Sequence, residues 1–313
     1  VQFYSGPRRQ VRRVVFSPDS RWLAVGYSRA LLLWDTITSE LRHTWTGSQR
    51  FDAVEFARDG RYLAAVDGDN GVGRLTVWDV ARPDRPVIEW TSYVVPPLWF
   101  PPDANWLLTG GCFDRDLPHP ARWELPGGSR SAAWPAVESE LGRRYDFLMA
   151  WDNHLGGIKG RTDGWNWQDW ATSFDLLDPA TGKVVRTFDT AIPYPPRRWI
   201  DHGFWGLLAD GRHLVEFSGR TIAVRDLVAG REVVRRDCGP RRIASLATAA
   251  RDGAIVAAPL HHEVQVWSPP DWGEPQVYSW PIGRVYCVAV APDGQRAAAG
   301  GGSGQVVVWD LDA

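Results

Sequence analysis

Lysine is nearly missing from this chain of 313 residues: of its 35 basic residues only Lys159 and Lys183 are lysine, and the rest are arginine. The base composition of a genome can produce such a bias, so arginine abundance alone assigns no function. Cysteine is scarce as well. Cys112, Cys238 and Cys287 are odd in number and far apart, which excludes a disulfide framework and a CxxC zinc site and fits a reducing, cytoplasmic compartment. No apolar run reaches the roughly 18 residues that a membrane-crossing helix needs, so no membrane contact is expected. The opening VQFYSGPRRQ holds neither a hydrophobic signal core nor an initiator Met, and reads as the start of a piece cut from a longer chain. Excess charge is missing too. A net charge of −2 gives no overall pull toward nucleic acid or membranes, although a balanced total can conceal a one-sided distribution.

Signatures of catalysis are equally absent. There is no HExxH, CxxC or GxxxxGKS, no GxSxG precedes a helix, and the glycines at 300–304 lie in a strand and loop pattern. His261-His262-Glu263 is the nearest approach to a metal motif, with His119 and His202 as further histidines. Adjacent residues of an extended segment point to opposite sides, so His261 and His262 are not expected to share an ion. Neither a metal, a cofactor nor a catalytic residue is expected. The cysteines read as packing residues, Cys287 most plainly from its place in the apolar strand 285–290.

What is present is a repeat. Hydrophobic residues are 44% of the chain, enough for a buried core. The segment VVFSPDSRWLAVGYSRALLLWDTITSE (14–40) recurs as VEFARDGRYLAAVDGDNGVGRLTVWDVARPD (54–84) and as VAVAPDGQRAAAGGGSGQVVVWDLDA (288–313). Each copy reads as strand, tight turn, strand, loop, strand, and a fourth strand such as 40–45 follows. A sheet of this size has an apolar face that it cannot bury alone, so the copies must stack on one another.

The third strand ends in Trp34-Asp35, Trp78-Asp79 and Trp309-Asp310, with weaker forms at Trp123-Glu124, Leu177-Asp178, Arg225-Asp226 and Trp267-Ser268. The turn after the first strand recurs as SPDS (17–20), ARDG (57–60), PPDA (101–104), LADG (208–211), ARDG (250–253) and APDG (291–294). On these residues the chain resembles the WD-repeat β-propeller family, as a divergent example. The resemblance implies an all-β, seven-bladed propeller of four-stranded antiparallel blades and one domain over 1–313. Blades are expected at about 8–46, 50–91, 93–134, 143–189, 198–237, 241–280 and 284–313, with 1–5 supplying the outer strand of the last blade and closing the ring. The pattern is incomplete: Gly6-Pro7 and Gly47-Ser48 stand where the family has Gly-His, and no Asp occupies the last repeat's loop at 301–304, so most of the family's hydrogen-bonded tetrad is expected to be missing.

The resemblance also sorts residues by face. Arginine precedes the first strand of six blades, at Arg8 and Arg9, Arg50, Arg143 and Arg144, Arg197 and Arg198, Arg241 and Arg242, and Arg284. Such a ring suits phosphate or carboxylate, because the guanidinium fork donates two parallel hydrogen bonds. On the same face Trp165, Trp167 and Trp170 crowd one loop of the fourth blade, and long loops at 110–121 and 127–144 belong to the third. Arg50, Arg144, Arg198, Arg242, Arg284 and the three tryptophans are therefore the candidate partner-binding residues of the top face. The expected function is a non-catalytic scaffold or sensor module that binds a protein or peptide partner, acidic or phosphorylated, with nucleic acid left open. Two alternatives stand beside it: the targeting domain of a larger protein, and a propeller hydrolase with a metal in its central channel.

Overall fold

The computed structural model describes residues 1–311 apart from 70–71, 102, 104, 112–120, 133–146, 152–153, 160–170, 179–180, 193–204, 209, 250–251 and 271. The recurring turns show how the sequence becomes strands. Asp19 Oδ1 accepts the N–H of Arg21 at 3.1 Å, and the same bond returns from Asp59 to Arg61, Asp210 to Arg212, Asp252 to Ala254 and Asp293 to Gln295 at 2.9 to 3.0 Å. A short carboxylate reaches the backbone two residues on, which is why Asp holds this place. The next residue is left-handed, with φ of +59° at Ser20 and +73°, +62°, +75° and +70° at Gly60, Gly211, Gly253 and Gly294. Glycine takes that conformation without a Cβ clash. A second Asp closes the third strand. Asp35 accepts the N–H groups of Ile37 and Thr38, Asp79 that of Ala81, and Asp226 those of Val228 and Ala229.

Between these turns the described residues form 26 strands. β1 (Gln2–Ser5) comes first, followed in the first repeat by β2 (Arg13–Phe16), β3 (Trp22–Gly26), β4 (Ser28–Asp35) and β5 (Leu41–Phe56). The second and third repeats contribute β6 (Tyr62–Asp69), β7 (Val72–Asp79), β8 (Pro86–Trp99), β9 (Trp106–Gly111), β10 (Ala121–Glu124) and β11 (Arg130–Ala132). The fourth holds β12 (Phe147–Trp151), β13 (His154–Lys159), β14 (Ala171–Leu177) and β15 (Val184–Ile192). The fifth holds β16 (Trp205–Leu207), β17 (His213–Ser218), β18 (Thr221–Asp226) and β19 (Arg231–Asp237). The sixth has β20 (Ile243–Thr248), β21 (Ile255–Pro259), β22 (Glu263–Trp267) and β23 (Gln276–Ser279), and the last β24 (Val285–Val290), β25 (Arg296–Gly301) and β26 (Gln305–Asp310).

All pairings are antiparallel. The fourth, fifth and sixth repeats each form a four-stranded sheet, while β24, β25 and β26 take β1 as their outer strand, with Gln2 opposite Val308 and Ser5 opposite Gln305. The first three repeats depart from the expected separate sheets, because β2 to β11 form one ten-stranded ladder. Its cause is that β5 and β8 run unbroken from the outer strand of one repeat into the inner strand of the next. Arg50 pairs with Ser28 on one side and with Gly68 on the other, so the connecting segment stays extended. Register shifts between Ser28 and Ala30 and between Phe51 and Ala53 bend the ladder there.

Period-two alternation builds the core. Ala24 points into one apolar cluster, shared with the second repeat, while Leu23 and Val25 point into another, shared with the last. Corresponding clusters join the second repeat to the third, the fifth to the sixth and the sixth to the last. Aromatic contacts reinforce four of these five seams. The tryptophan that ends a third strand packs on an aromatic ring of the preceding outer strand: Tyr4 with Trp34 at 5.4 Å, Trp45 with Trp78 at 4.7 Å, Trp90 with Trp123 at 5.3 Å and Trp280 with Trp309 at 4.6 Å. Each such pair contributes about 0.5–1.5 kcal/mol beyond its buried area. Cys238 and Cys287 are buried within these clusters with free thiols.

Candidate functional site

Because neighbouring strands are antiparallel, the segments leading into each first strand lie at the same end of a sheet as the loops between second and third strands. One backbone bond recurs there. Phe51 N–H donates to Tyr27 C=O, Ile243 to Gly219, Val285 to His261 and Val11 to Gly301, at 2.7 to 3.1 Å. All four donor residues are buried. The residue immediately before them is Arg50, Arg242, Arg284 or Gln10 respectively, half-buried at Arg50 and exposed at Arg242 and Arg284. Three predicted arginines thus share one structural position, each preceding an apolar residue that docks on the loop of the repeat before it. The anchoring is by backbone. Arg242 C=O accepts the N–H of Leu260 at 2.7 Å, and Arg284 C=O that of Gly302 at 2.8 Å. Arg144, Arg198, Trp165, Trp167 and Trp170 lie outside the described residues, as do His119, His202 and Cys112.

Asp67 secures the segment that carries Arg50. Its side chain is 3% exposed and accepts the N–H of Ser48 (2.7 Å), the Ser48 hydroxyl (3.0 Å), the N–H of Gln49 (2.7 Å) and Arg74 Nη2 (2.9 Å). Burial opposes ionisation of this carboxyl, but the donors from Ser48, Arg74 and Gln49 outweigh it and hold the group below the ordinary carboxylate range. A Cβ on Gly47 would stand 2.6 Å from the Phe51 ring and 2.9 Å from Asp67 Cγ, so glycine is required for this approach. In the second repeat, then, a Gly-Ser pair and an aspartate fasten this segment without the family's Gly-His pair. Trp123 adds a further element of the pattern by donating from Nε1 to Thr109 Oγ1 at 3.1 Å. Sequence reasoning passed over Asp67, whose signal was an acidic residue at the end of an apolar second strand.

The histidine pair differs from expectation. His261 and His262 meet edge to face, with ring centroids 5.1 Å apart, because the tight turn after β21 overrides strand alternation. Both are exposed. Among the described residues no group of three or more His, Cys, Asp or Glu side chains is placed to hold a metal ion, and no helix is long and apolar enough to cross a membrane.

The opposite end of the sheets is held by arginine–aspartate pairs. Arg21 places Nε and Nη2 each 3.1 Å from Asp35 Oδ2, Arg61 Nε lies 3.4 Å from Asp79 Oδ2, and Arg212 pairs with Asp226. The arginine at Asp226, helped by the N–H groups of Ala229 and Val228, holds that carboxyl well below its ordinary range. In each pair an exposed arginine covers a largely buried aspartate, so the pairs lock turns rather than present a charged surface.

A family model described as "WD domain, G-beta repeat" matches residues 1–35 and 276–310, the first repeat with β1 and the last repeat. The GATOR2 complex protein WDR24 of Danio rerio is 28% identical over 116 residues, covering 35% of this chain and 15% of that protein. Serine-threonine kinase receptor-associated protein of Rattus norvegicus is 23% identical over 242 residues, covering 74% of this chain and 59% of the relative. The chain therefore spans well under two thirds of either relative's length. Trp-Asp strand ends, Asp-capped turns, stacked antiparallel sheets and these matches together support a divergent WD-repeat family for this chain, with WD repeats matched at its first and last repeats.

Proposed function

We propose that this chain is a non-catalytic interaction scaffold: one domain, 1–313, whose seven four-stranded blades close into a ring and bind a protein or peptide partner in the cytoplasm. The blades are those at about 8–46, 50–91, 93–134, 143–189, 198–237, 241–280 and 284–313, with 1–5 as the outer strand of the last. The partner is acidic or phosphate-bearing. It meets the end of the ring that carries Arg50, Arg144, Arg198, Arg242 and Arg284, and Trp165, Trp167 and Trp170 grip its apolar part. The observation that carries this reading is the repeated placement of Arg50, Arg242 and Arg284 one residue before a docked apolar side chain. Equivalent backbone positions on three repeats bring arginines to one end of the sheets on a rigid frame, which suits bidentate capture of oxyanions. The names of the relatives, a complex protein and a receptor-associated protein, support partners that are proteins. A reducing compartment agrees with the buried free thiols of Cys238 and Cys287.

The test is a titration read by intrinsic tryptophan fluorescence, with a polyglutamate peptide and a single-stranded oligonucleotide as probes. Saturable, salt-sensitive binding of the peptide that weakens about tenfold or more in Arg242→Glu/Arg284→Glu supports the reading. Equal affinity of the variant, or preference for the oligonucleotide, overturns the site or the partner class respectively.

A further inference from the structure

A groove of about 630 Å³ lies at the other end of the sheets, between the second and third repeats, lined by Arg61, Tyr62, Asp79, Arg82, Asp84, Arg85, Pro86, Val87 and Pro126. Its charges are unevenly matched. Asp79 is engaged by Arg61 at 3.4 Å, and Asp84 is 88% exposed with its carboxylate turned toward His43 at 3.8 Å. No ion pair or side-chain hydrogen bond engages Arg82 or Arg85 among the described residues, so two guanidinium groups at the groove stay unneutralised. Arg61 is tied to Asp79 as Arg21 and Arg212 are tied to the aspartates that end the third strands of the first and fifth repeats, whereas Arg82 and Arg85 stand beyond that pair.

The loop presenting these arginines is fixed in place. Trp45, buried and stacked on Trp78, donates from Nε1 to Pro83 C=O at 2.8 Å. Pro83 is itself buried between the two arginines, and Arg82 N–H closes a turn onto Asp79 C=O at 2.9 Å. Proline at 83 and again at 86 further limits the loop's freedom. Arg82 and Arg85 are therefore mounted on an anchored turn, and little backbone entropy is lost when they take a ligand. Between them and the third repeat, Pro86, Val87 and Pro126 supply an apolar wall, and Tyr62 lies buried beneath it with the Arg61 guanidinium 4.9 Å from its ring.

We infer that this groove is a second docking site, distinct from the arginine-bearing end, for an acidic peptide segment of a partner protein. A glutamate or aspartate of the peptide sits between Arg82 and Arg85, and a neighbouring aliphatic or aromatic side chain packs on Pro86, Val87 and Pro126. A peptide fits better than a nucleic acid because the groove offers aliphatic and proline surface and its one aromatic residue, Tyr62, is buried, so there is no series of stacking platforms along a basic track.

The experiment selects peptides from a random phage-displayed library on the intact chain and measures their affinity by fluorescence polarisation. Expected are peptides rich in Asp or Glu beside Leu or an aromatic residue, whose Kd rises about tenfold or more with Arg82→Glu/Arg85→Glu and whose binding weakens with salt. The same peptides keep their affinity for Arg242→Glu/Arg284→Glu, which separates this site from the one proposed above. Arg82→Gln/Arg85→Gln repeats the test with the smaller change, and an unaltered unfolding midpoint shows that both variants fold. The inference is overturned if no acidic peptides are enriched, if they bind the Arg82/Arg85 variants equally well, or if only the Arg242/Arg284 variant loses them.

Discussion

Tyr4 offers the sharpest check on how the last sheet is completed. It sits in the four-residue strand β1, 1% exposed, in the apolar cluster that the first and last repeats share, with its ring 5.4 Å from that of Trp34. Its neighbour Phe3 is 47% exposed on the other face of the same strand. Tyr4→Ala removes a fully buried aromatic ring and leaves a cavity against Trp34, a change that costs about 3–5 kcal/mol in well-packed cores. Phe3→Ala, with the same backbone and nearly the same volume lost, should cost less than about 1 kcal/mol. Tyr4→Phe isolates the hydroxyl, which donates to Gln2 Oε1 at 2.8 Å in a half-buried setting, and should cost about 0.5–1.5 kcal/mol. Urea unfolding followed by tryptophan fluorescence and far-UV circular dichroism gives all three values side by side. If Tyr4→Ala and Phe3→Ala prove equal, β1 does not contribute its buried face to the core, and the account of the last sheet fails.

Two further predictions follow from buried titratable groups. Asp67 ionises at lower pH in the folded chain than in the unfolded one. The stability it contributes is thus complete above the ordinary carboxylate range near about pH 4, and is lost as pH falls through the lower folded value. Asp67→Asn should cost about 1–3 kcal/mol at pH 7 and flatten the acid limb of a stability–pH curve, and an unchanged limb would refute the role given to its four donors. Burial pushes the thiols of Cys238 and Cys287 up to about 12. At pH 8 their thiolate fraction is on the order of one in ten thousand. In a Cys112→Ser background Ellman's reagent should therefore react only as urea unfolds the chain; rapid labelling of the native protein would contradict their burial.

Local interactions were the ones legible in the linear chain. Asp19, Asp59, Asp210 and Asp293 bond to backbone two residues away, and Asp35, Asp79 and Asp226 to the next turn, so their spacing declares the hairpins before any packing is known. Arg50, Arg242 and Arg284, each one residue before a docked apolar side chain, could be picked out from the sequence as well. Asp67 could not, because its partners Ser48 and Gln49 are 19 and 18 residues distant and meet it only when β5 lies beside β6 in one register.

The same division holds for the whole molecule. Its sequence alone determined an all-β chain of repeated hairpins with apolar alternation on both faces, since turn chemistry and period-two patterning act over a few residues. Residues 1–5 could also be read from the sequence as the outer strand of the last sheet, where β1 pairs with β26. Tertiary structure alone decided the rest: the fusion of three repeats into one ladder and the aromatic contacts at four of the seams. It also decided that Arg21 and Arg212 spend their charge on aspartates while Arg82 and Arg85 do not. The physical reason is range. A guanidinium reads alike everywhere in a sequence, and only the distance to the nearest carboxylate, set by sheet register and stacking, makes it a structural tie or a free ligand-binding group.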